Sequence, residues 1–280
     1  MRGGALRILC KKTRLFIPKD IRFIDRYWYT RKGAMLGWKA VMRKYGKMPK
    51  NEEYRKKRWF EWWEREGRRK FHPIINHPKL ITYPEYSEEL AECVGIILGD
   101  GGISEYQVIV TLNSEDEQEY ASFIIRLVRK LFRVPVVVSF QKNSAAMNLV
   151  ISRIALVRFC TEKLGLLQGN KIEHRVDIPG WIKENQKYAI ACVRGLMDTD
   201  GSVFTHRYKV NGKVYSYKKL EFCSRSEPLR RSVYDVLSGL GIKVRLARGY
   251  DIFIDAQSEV KRYFQIVGSH NPKHLKRYKN

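Results

Sequence analysis

The sequence predicts an α/β (α+β) fold: a tandem repeat, each copy ordered α-β-β-α-β-β-α, behind a basic helical N-terminal extension. Three observations carry this expectation. Two matching helix ends lie a hundred residues apart, at Asp100 and Asp200. Strand and helix signals follow each of them in the same order. Charge divides the chain near Pro84: residues 1–85 hold 24 Lys and Arg against 8 Asp and Glu, a net of +16, and residues 86–280 hold 30 against 21, a net of +9.

In chain order, residues 1–85 read as helical and basic. One short helix is expected from Arg31 to Tyr45, where Gly33, Ala34, Gly37 and Ala40 stand among basic residues. A second runs from Asn51, its expected N-cap, to Glu66, closed by Gly67. There Trp59, Phe60, Trp62 and Trp63 interleave with Arg55, Lys56, Lys57, Arg58 and Arg65. The aromatics are expected in a core or interface, and the cations towards solvent or phosphate. The first repeat, residues 86–176, opens with a helix from Ser87 to Asp100. A strand at Gln107 to Leu112 and an acidic-capped helix from Ser114 to Phe132 follow. Strands at Val134 to Phe140 and Met147 to Ser152 then lead to a helix ending near Leu166. Residues 177–186 form a proline-marked linker. The second repeat, residues 187–280, has a helix from Lys187 to Asp200 and strands at Val203 to Val210 and Lys213 to Phe222. A helix from Pro228 to Leu240, strands at Lys243 to Ala247 and Asp251 to Asp255, and a helix from Ser258 to Val267 complete it.

Composition limits the function. With 280 residues and 44% apolar content the chain can bury a sizeable core. Its net charge of +25 is the mark of a protein that meets a polyanion. A basic ribosome-associated protein satisfies the charge but gives no account of the repeated helix ends. Cys10, Cys93, Cys160, Cys192 and Cys223 are odd in number and scattered, without a Cys-x-x-Cys pair. That argues against a disulfide framework or structural zinc and for a reducing, intracellular compartment. Lys11 and Lys12 cut short the apolar run that begins the chain, so neither a secretory leader nor a membrane partner is expected.

The chemistry is expected at the paired helix ends. The first reads Cys93-Val94-Gly95-Ile96-Ile97-Leu98-Gly99-Asp100-Gly101, the second Val193-Arg194-Gly195-Leu196-Met197-Asp198-Thr199-Asp200-Gly201. Gly95 and Gly195 would let two helices pack with their backbones almost touching. Gly101 and Gly201 are expected to end the helices in left-handed turns, which leaves Asp100 and Asp200 at the last helical positions. A carboxylate there opposes the helix dipole, and two of them together repel. Bound divalent cations resolve both problems, and oxygen donors suit magnesium. One Asp-Gly alone is an ordinary helix-ending turn; two in matching contexts are not.

These stretches resemble the two LAGLIDADG motifs of the homing endonucleases. The first departs at Leu98, where the family often has an acid. The second departs at Arg194 and keeps both acids. The resemblance extends over residues 86–280, through Leu112-Asn113-Ser114 and Ser224-Arg225-Ser226 to the segment from Gly268 to His274. It implies a pseudo-twofold monomer with two saddle-shaped antiparallel sheets over double-stranded DNA. It also implies metal-dependent hydrolysis of both strands, with Mg2+ held by Asp100 and Asp200 and by the carbonyls of Gly99 and Thr199. The family's basic residue in each half matches Lys171 and Lys273, which would polarise the attacked phosphate or its water. His270 and His274 are alternative general bases, although tail histidines more often serve structure.

DNA reading is expected from the Asn211-Gly212 hairpin, whose strands carry Arg207, Lys209, Lys213 and Lys218 among Tyr208, Tyr215 and Tyr217. Alternation should turn one set to the core and the other to a groove. Gln107, Gln141, Lys142 and Arg225 are further DNA-binding candidates. Asp200 to Ser226 spans 26 residues, but Asp100 to Ser114 only 14. The first repeat therefore has a stunted hairpin, and residues 1–85 are expected to compensate as an accessory DNA grip. The main alternative is a non-cleaving binder on the same scaffold, an intron maturase with intron RNA as partner or a transcription regulator. An intein fits poorly, because the chain starts with Met and His270-Asn271 is followed by Pro272.

Overall fold

The computed structural model of the chain describes residues 28–46, 52–70, 79–142 and 144–280, together with Cys10, Lys12 and Thr13. The chain divides into two compact units, residues 1–76 and 77–280.

In the first unit, α1 spans Trp28–Tyr45 and α2 spans Glu52–Arg65, followed by a 3-10 turn at Gly67–Arg69. The expected cap Asn51 lies outside the described residues. Trp59 stacks on Trp63 one turn later, with centroids 5.3 Å apart and planes 9° from parallel. Of the four aromatics on α2, Trp62 and Trp63 are half-buried while Trp59 and Phe60 are exposed. On α1, Met35, Leu36 and Trp38 are exposed as well. Exposed pairs such as Arg58–Glu61 and Lys70–Glu66 line the second helix and turn.

The second unit holds both repeats. Its first copy comprises α3 (Glu88–Leu98), β1 (Gly101–Ile103), β2 (Val108–Asn113) and α4 (Gln118–Phe132). β3 (Val137–Phe140), β4 (Ala146–Ile151) and α5 (Ile154–Arg158) complete it, the last running into a wider π-helical turn through Lys163. After a short helix α6 (Gly180–Lys183) the second copy follows. It comprises α7 (Gln186–Thr199), β5 (Gly201–Val210), β6 (Lys213–Cys223), α8 (Glu227–Gly239), β7 (Arg245–Leu246), β8 (Asp251–Ile254) and α9 (Gln257–Ile266). A last helix, α10 (Pro272–Lys279), was not anticipated, although an Asn cap before a proline at N1 is a helix-start signal.

The mixed α/β architecture contains two four-stranded antiparallel sheets, ordered β1-β2-β4-β3 and β5-β6-β8-β7. Identical strand order in the two copies is what a tandem repeat of one unit produces. Within each sheet one face is apolar. Ile103, Val108, Val110, Leu149 and Ile151 are buried in the first, and Val203, Leu220, Phe222, Ile252 and Ile254 in the second. The hairpins differ as their spacing implies: β1 has three residues, β5 ten and β6 eleven.

The repeats meet along α3 and α7. Ser87 caps α3 by accepting a hydrogen bond from Leu90 N at 3.2 Å, and every residue from Leu90 to Leu98 is buried. Asn185 caps α7 at Lys187 N and Tyr188 N. A β-carbon on Gly95 would collide with the carbonyl of Cys192, and one on Gly195 would lie 2.5 Å from the carbonyl oxygen of Glu92. Backbone contact between the helices thus excludes side chains at both positions.

Gly101 and Gly201 behave differently from expectation. Neither has a positive φ; they are the first residues of β1 and β5. They are glycine because a β-carbon on either would strike the backbone of the preceding helix, at Ile97 and Met197 respectively. Close strand–helix approach, not a left-handed cap, fixes them.

Candidate active site

The helices end one residue apart in phase. α3 stops at Leu98, Gly99 caps it, and Asp100 follows; α7 runs through Thr199, with Asp200 as its cap. Both aspartates therefore stand just beyond the last helical residue instead of within it. Each is fixed by its own sheet: Asp100 O accepts from Thr111 N at 3.0 Å, and Asp200 O from Cys223 N at 3.3 Å. The two ends abut, since a β-carbon on Gly99 would overlap the Thr199 hydroxyl and reach 3.6 Å from Asp200 Oδ2. Thr199 Oγ1 donates back into its helix, with Gly195 O and Leu196 O at 2.9 and 3.0 Å.

Burial pushes the Asp100 carboxyl up to about 7, with the charges of Asp200 and Glu117 adding to the rise and Lys171 and Lys273 opposing it. Asp200 rises to about 6, again through burial, against the pull of Lys171. Repulsion between the two falls on whichever ionises second, so they titrate as a pair. Carboxyls raised this far are poised to exchange a proton for a cation.

Lys171 comes to the site from the loop that closes the first repeat. Its ammonium donates to Leu98 O at 2.9 Å and to Gly99 O, neutralising the carbonyl end of α3. Burial lowers its pKa, against the attraction of Asp200 and Asp100. Lys273 approaches from the first turn of α10, its Nζ 3.5 Å from Glu117 Oε1. The sequence pair Lys171 and Lys273 is thus brought to the aspartates, but by different supports.

Sequence reasoning missed the residues that hold Lys273. Asn271 is fully buried. Its Oδ1 accepts from Lys273 N at 3.1 Å, and its Nδ2 donates to Asp198 O at 2.9 Å and Glu117 Oε1 at 3.2 Å. Asp198 is buried away from the paired aspartates and ties down the C-terminal segment: Ser269 Oγ lies 2.5 Å away and His270 N 2.7 Å. Glu92 on α3 bonds Arg194 on α7 at 3.1 Å and His270 Nδ1 at 2.5 Å. Arg194, the departure in the second motif, is therefore the half-buried partner of buried Glu92 in an ion pair across the repeats. Its Nε also donates to Val267 O at 2.7 Å. His270 is held by Glu92, which raises its pKa, and His274 is buried 3.7 Å from Asp198. Both histidines serve the frame.

Among the described residues no group of three or more His, Cys, Asp or Glu side chains stands together as a metal site. Two carboxylates with main-chain carbonyls nevertheless fit a hard cation that takes its remaining ligands from water and phosphate, as magnesium does. The Gly99 carbonyl is already engaged by Lys171.

Residues 187–274 match the sequence model of the LAGLIDADG-like domain. The second repeat is a LAGLIDADG-like domain. Solved structures that resemble the chain include the homing endonuclease I-DmoI in complex with DNA and Ca, at 20% identity, covering 69% of this chain and 98% of that one with a TM-score of 0.48. Full-length DUF199/WhiA from Thermatoga maritima resembles it at 13% identity, over 69% of this chain and 60% of that one, with a TM-score of 0.44. The N-terminal LAGLIDADG domain of DUF199/WhiA does so at 15% identity, over 66% and 86%, with a TM-score of 0.44. Comparison with curated proteins gave no match. No helix among the described residues is long and apolar enough to cross a membrane.

The two sheets distribute the DNA-binding candidates unevenly. Asn211 and Gly212 both have positive φ, as the expected two-residue turn requires. Register pairs Val203 with Leu220, Thr205 with Lys218, Arg207 with Ser216 and Lys209 with Val214. Arg207, Lys209 and Lys218 therefore share the face that buries Val203 and Leu220, while Lys213 lies on the opposite, open face with Tyr208, Tyr215 and Tyr217. The basic set does not form one groove-facing row. In the first sheet, Gln107 shares the parity of open-face Ile109 and Thr111, and Gln141 reaches Asn148 on that face at 3.4 Å. Lys142 is exposed beyond β3. Arg225 lies over the Tyr250 ring at 5.8 Å.

Proposed function

We propose that the chain is a metal-dependent endonuclease that cuts both strands of a long double-stranded DNA site. The observation that carries this reading is the pairing of Asp100 and Asp200, two half-buried carboxyls with raised pKa values at equivalent ends of two helices in backbone contact. A binder that only grips phosphate has no use for such a pair.

In this reading Asp100 and Asp200 hold magnesium, assisted by the carbonyls of Gly99 and Thr199, with Lys171 yielding its hold on Gly99. When bound, the metal activates water and stabilises the leaving oxygen of phosphodiester hydrolysis. Lys273 and Lys171 offset the charge that builds on the attacked phosphate. Each aspartate serves one strand, as a pseudo-twofold site over antiparallel strands requires. One chain carries both half-sites, so the working assembly is a monomer in a reducing intracellular compartment. The long β5–β6 hairpin and Arg225 grip one half-site. Gln107, Gln141 and Lys142 meet the other, and the basic residues 1–85 reinforce that side.

The second reading, a non-cleaving binder such as an intron maturase or a transcription regulator, is favoured by Lys171, whose ammonium already neutralises the end of α3. Incubating the full chain with a randomised duplex library and magnesium, then sequencing all new ends, decides between them. Paired cuts at one recovered sequence support the nuclease. Retention of one sequence without new ends supports the binder.

A further inference from the structure

Lys171 does for the end of α3 what a bound cation would do. Its ammonium donates to Leu98 O at 2.9 Å and to Gly99 O, one of the carbonyls that the metal reading needs. Both carboxylates draw it there, Asp200 more strongly than Asp100. The helix ends abut at this point, so a single ammonium serves both acids.

The second repeat is built differently. Its matching lysine, Lys273, is turned to Glu117 at 3.5 Å, and its backbone N–H donates to Asn271 Oδ1. The last turn of α7 is served instead by the Thr199 hydroxyl, placed against Gly195 O and Leu196 O.

The two lysines also differ in support. Lys273 follows a fully buried asparagine. Lys171 rides on a loop whose neighbours, residues 167–170 and 172–175, are all exposed. The bonds that shape this loop are local, such as Ile172 N to Asn170 Oδ1 at 3.0 Å and His174 N to Asn170 O at 3.1 Å. Withdrawing the ammonium therefore breaks two hydrogen bonds at the helix end and moves no core residue.

An ammonium on the Gly99 carbonyl and a divalent cation compete for the same oxygen. Phosphate, being ionised, bonds an ammonium more strongly than a neutral carbonyl does. We propose that Lys171 is a latch that holds the metal site closed in the DNA-free chain and opens it when a backbone phosphate takes up its ammonium. The inference rests on the reading of Asp100 and Asp200 as a metal pair. It adds that metal loading and duplex binding are coupled through one side chain. Both ligands select the state with Lys171 withdrawn, so each strengthens the other.

The test titrates manganese into the full, DNA-free chain and follows the free ion by electron paramagnetic resonance. Lys171→Met removes the ammonium and keeps the stem. It is expected to bind manganese about tenfold more tightly than the parent, a usual size for coupling between sites. Lys273 also draws on Asp100, so Lys273→Met measures what the loss of charge alone does, and its gain should be much smaller. If Lys171→Met does not fold, Lys171→Gln, which keeps a donor on the loop, makes the same comparison. In a second arm, calcium should raise the affinity of the parent for the duplex recovered from the library by a larger factor than it does for Lys171→Met. Equal manganese affinity in parent and Lys171→Met overturns the latch. So does an equal gain in Lys273→Met, or an equal calcium factor in the second arm. Manganese binding by neither protein overturns the metal reading itself, and the latch with it.

Discussion

Gly95 on α3 and Cys192 on α7 face each other so closely that no β-carbon fits between them, and the reciprocal pair is Gly195 with Glu92. That contact brings the helix ends side by side, and with them Asp100 and Asp200. Gly95→Ala is expected to force the helices apart and destabilise the fold by about 2–4 kcal/mol, as overpacking against rigid backbone does. Thermal melts check this directly. A melting point equal to the parent's would mean that the helices are not in contact there.

The raised carboxyls make a prediction about stability without metal. Both aspartates hold protons in the folded chain at pH values where the unfolded chain, with an ordinary pKa near 3.8, has released them. Metal-free stability should therefore fall as pH rises from about 4 towards 7, and neutral Asp200→Asn should be more stable than the parent at neutral pH by about 1–3 kcal/mol. Magnesium should stabilise the parent and not the variant. Chemical denaturation in chelator across pH measures both effects; a parent that gains stability over that window contradicts the pairing.

Much of this site was legible in the sequence, and the parts that were not share a physical reason. The helix ends, the sheet strands and the approach of Lys171 and Lys273 follow from periodicity, the repeat and the resemblance. The frame does not, because Glu92 with Arg194, Asn271 with Glu117, and Ser269 with Asp198 join residues 71 to 154 positions apart. Local pattern carries no trace of such bonds. Gly101 and Gly201 show the same limit from the other side: Asp-Gly after a helix reads as a left-handed cap, and only the packed strand reveals a steric cause. Alternation along β5 and β6 was legible, but the turn at Asn211-Gly212 sets the register that puts Lys213 on the face opposite Arg207, Lys209 and Lys218.

Asn271 offers a test of that frame. Asn271→Ala removes the cap of α10 and the bonds to Asp198 O and Glu117, and should cost about 2–3 kcal/mol, combining a lost cap with an unsatisfied buried acceptor. Loosening Lys273 should also slow single-turnover cleavage more than it weakens duplex binding. Equal losses in rate and affinity would show that Asn271 supports binding alone.

Breaking the Glu92–Arg194 pair should be more damaging still. Glu92→Ala leaves a half-buried guanidinium without its carboxylate, expected to cost about 3–5 kcal/mol. Glu92→Ala with Arg194→Leu should recover much of that loss. Denaturant midpoints of the single and double variants measure the coupling, and simple additivity would contradict it.

Removal of residues 1–76, one compact unit, should leave both repeats folded but shorten the DNA footprint on one side and flatten the salt dependence of binding. Footprinting and salt titration of the truncated chain check this. Full affinity and an unchanged footprint would remove the accessory-grip assignment.

The most direct test of the central claim compares parent, Asp100→Asn and Asp200→Asn for cleavage of the recovered duplex site with strand-specific labels, beside calorimetric titration of magnesium. The account predicts that the parent cuts both strands, that each variant loses both magnesium binding and cutting, and that all three still bind the duplex. Undiminished cutting by either asparagine variant would contradict it.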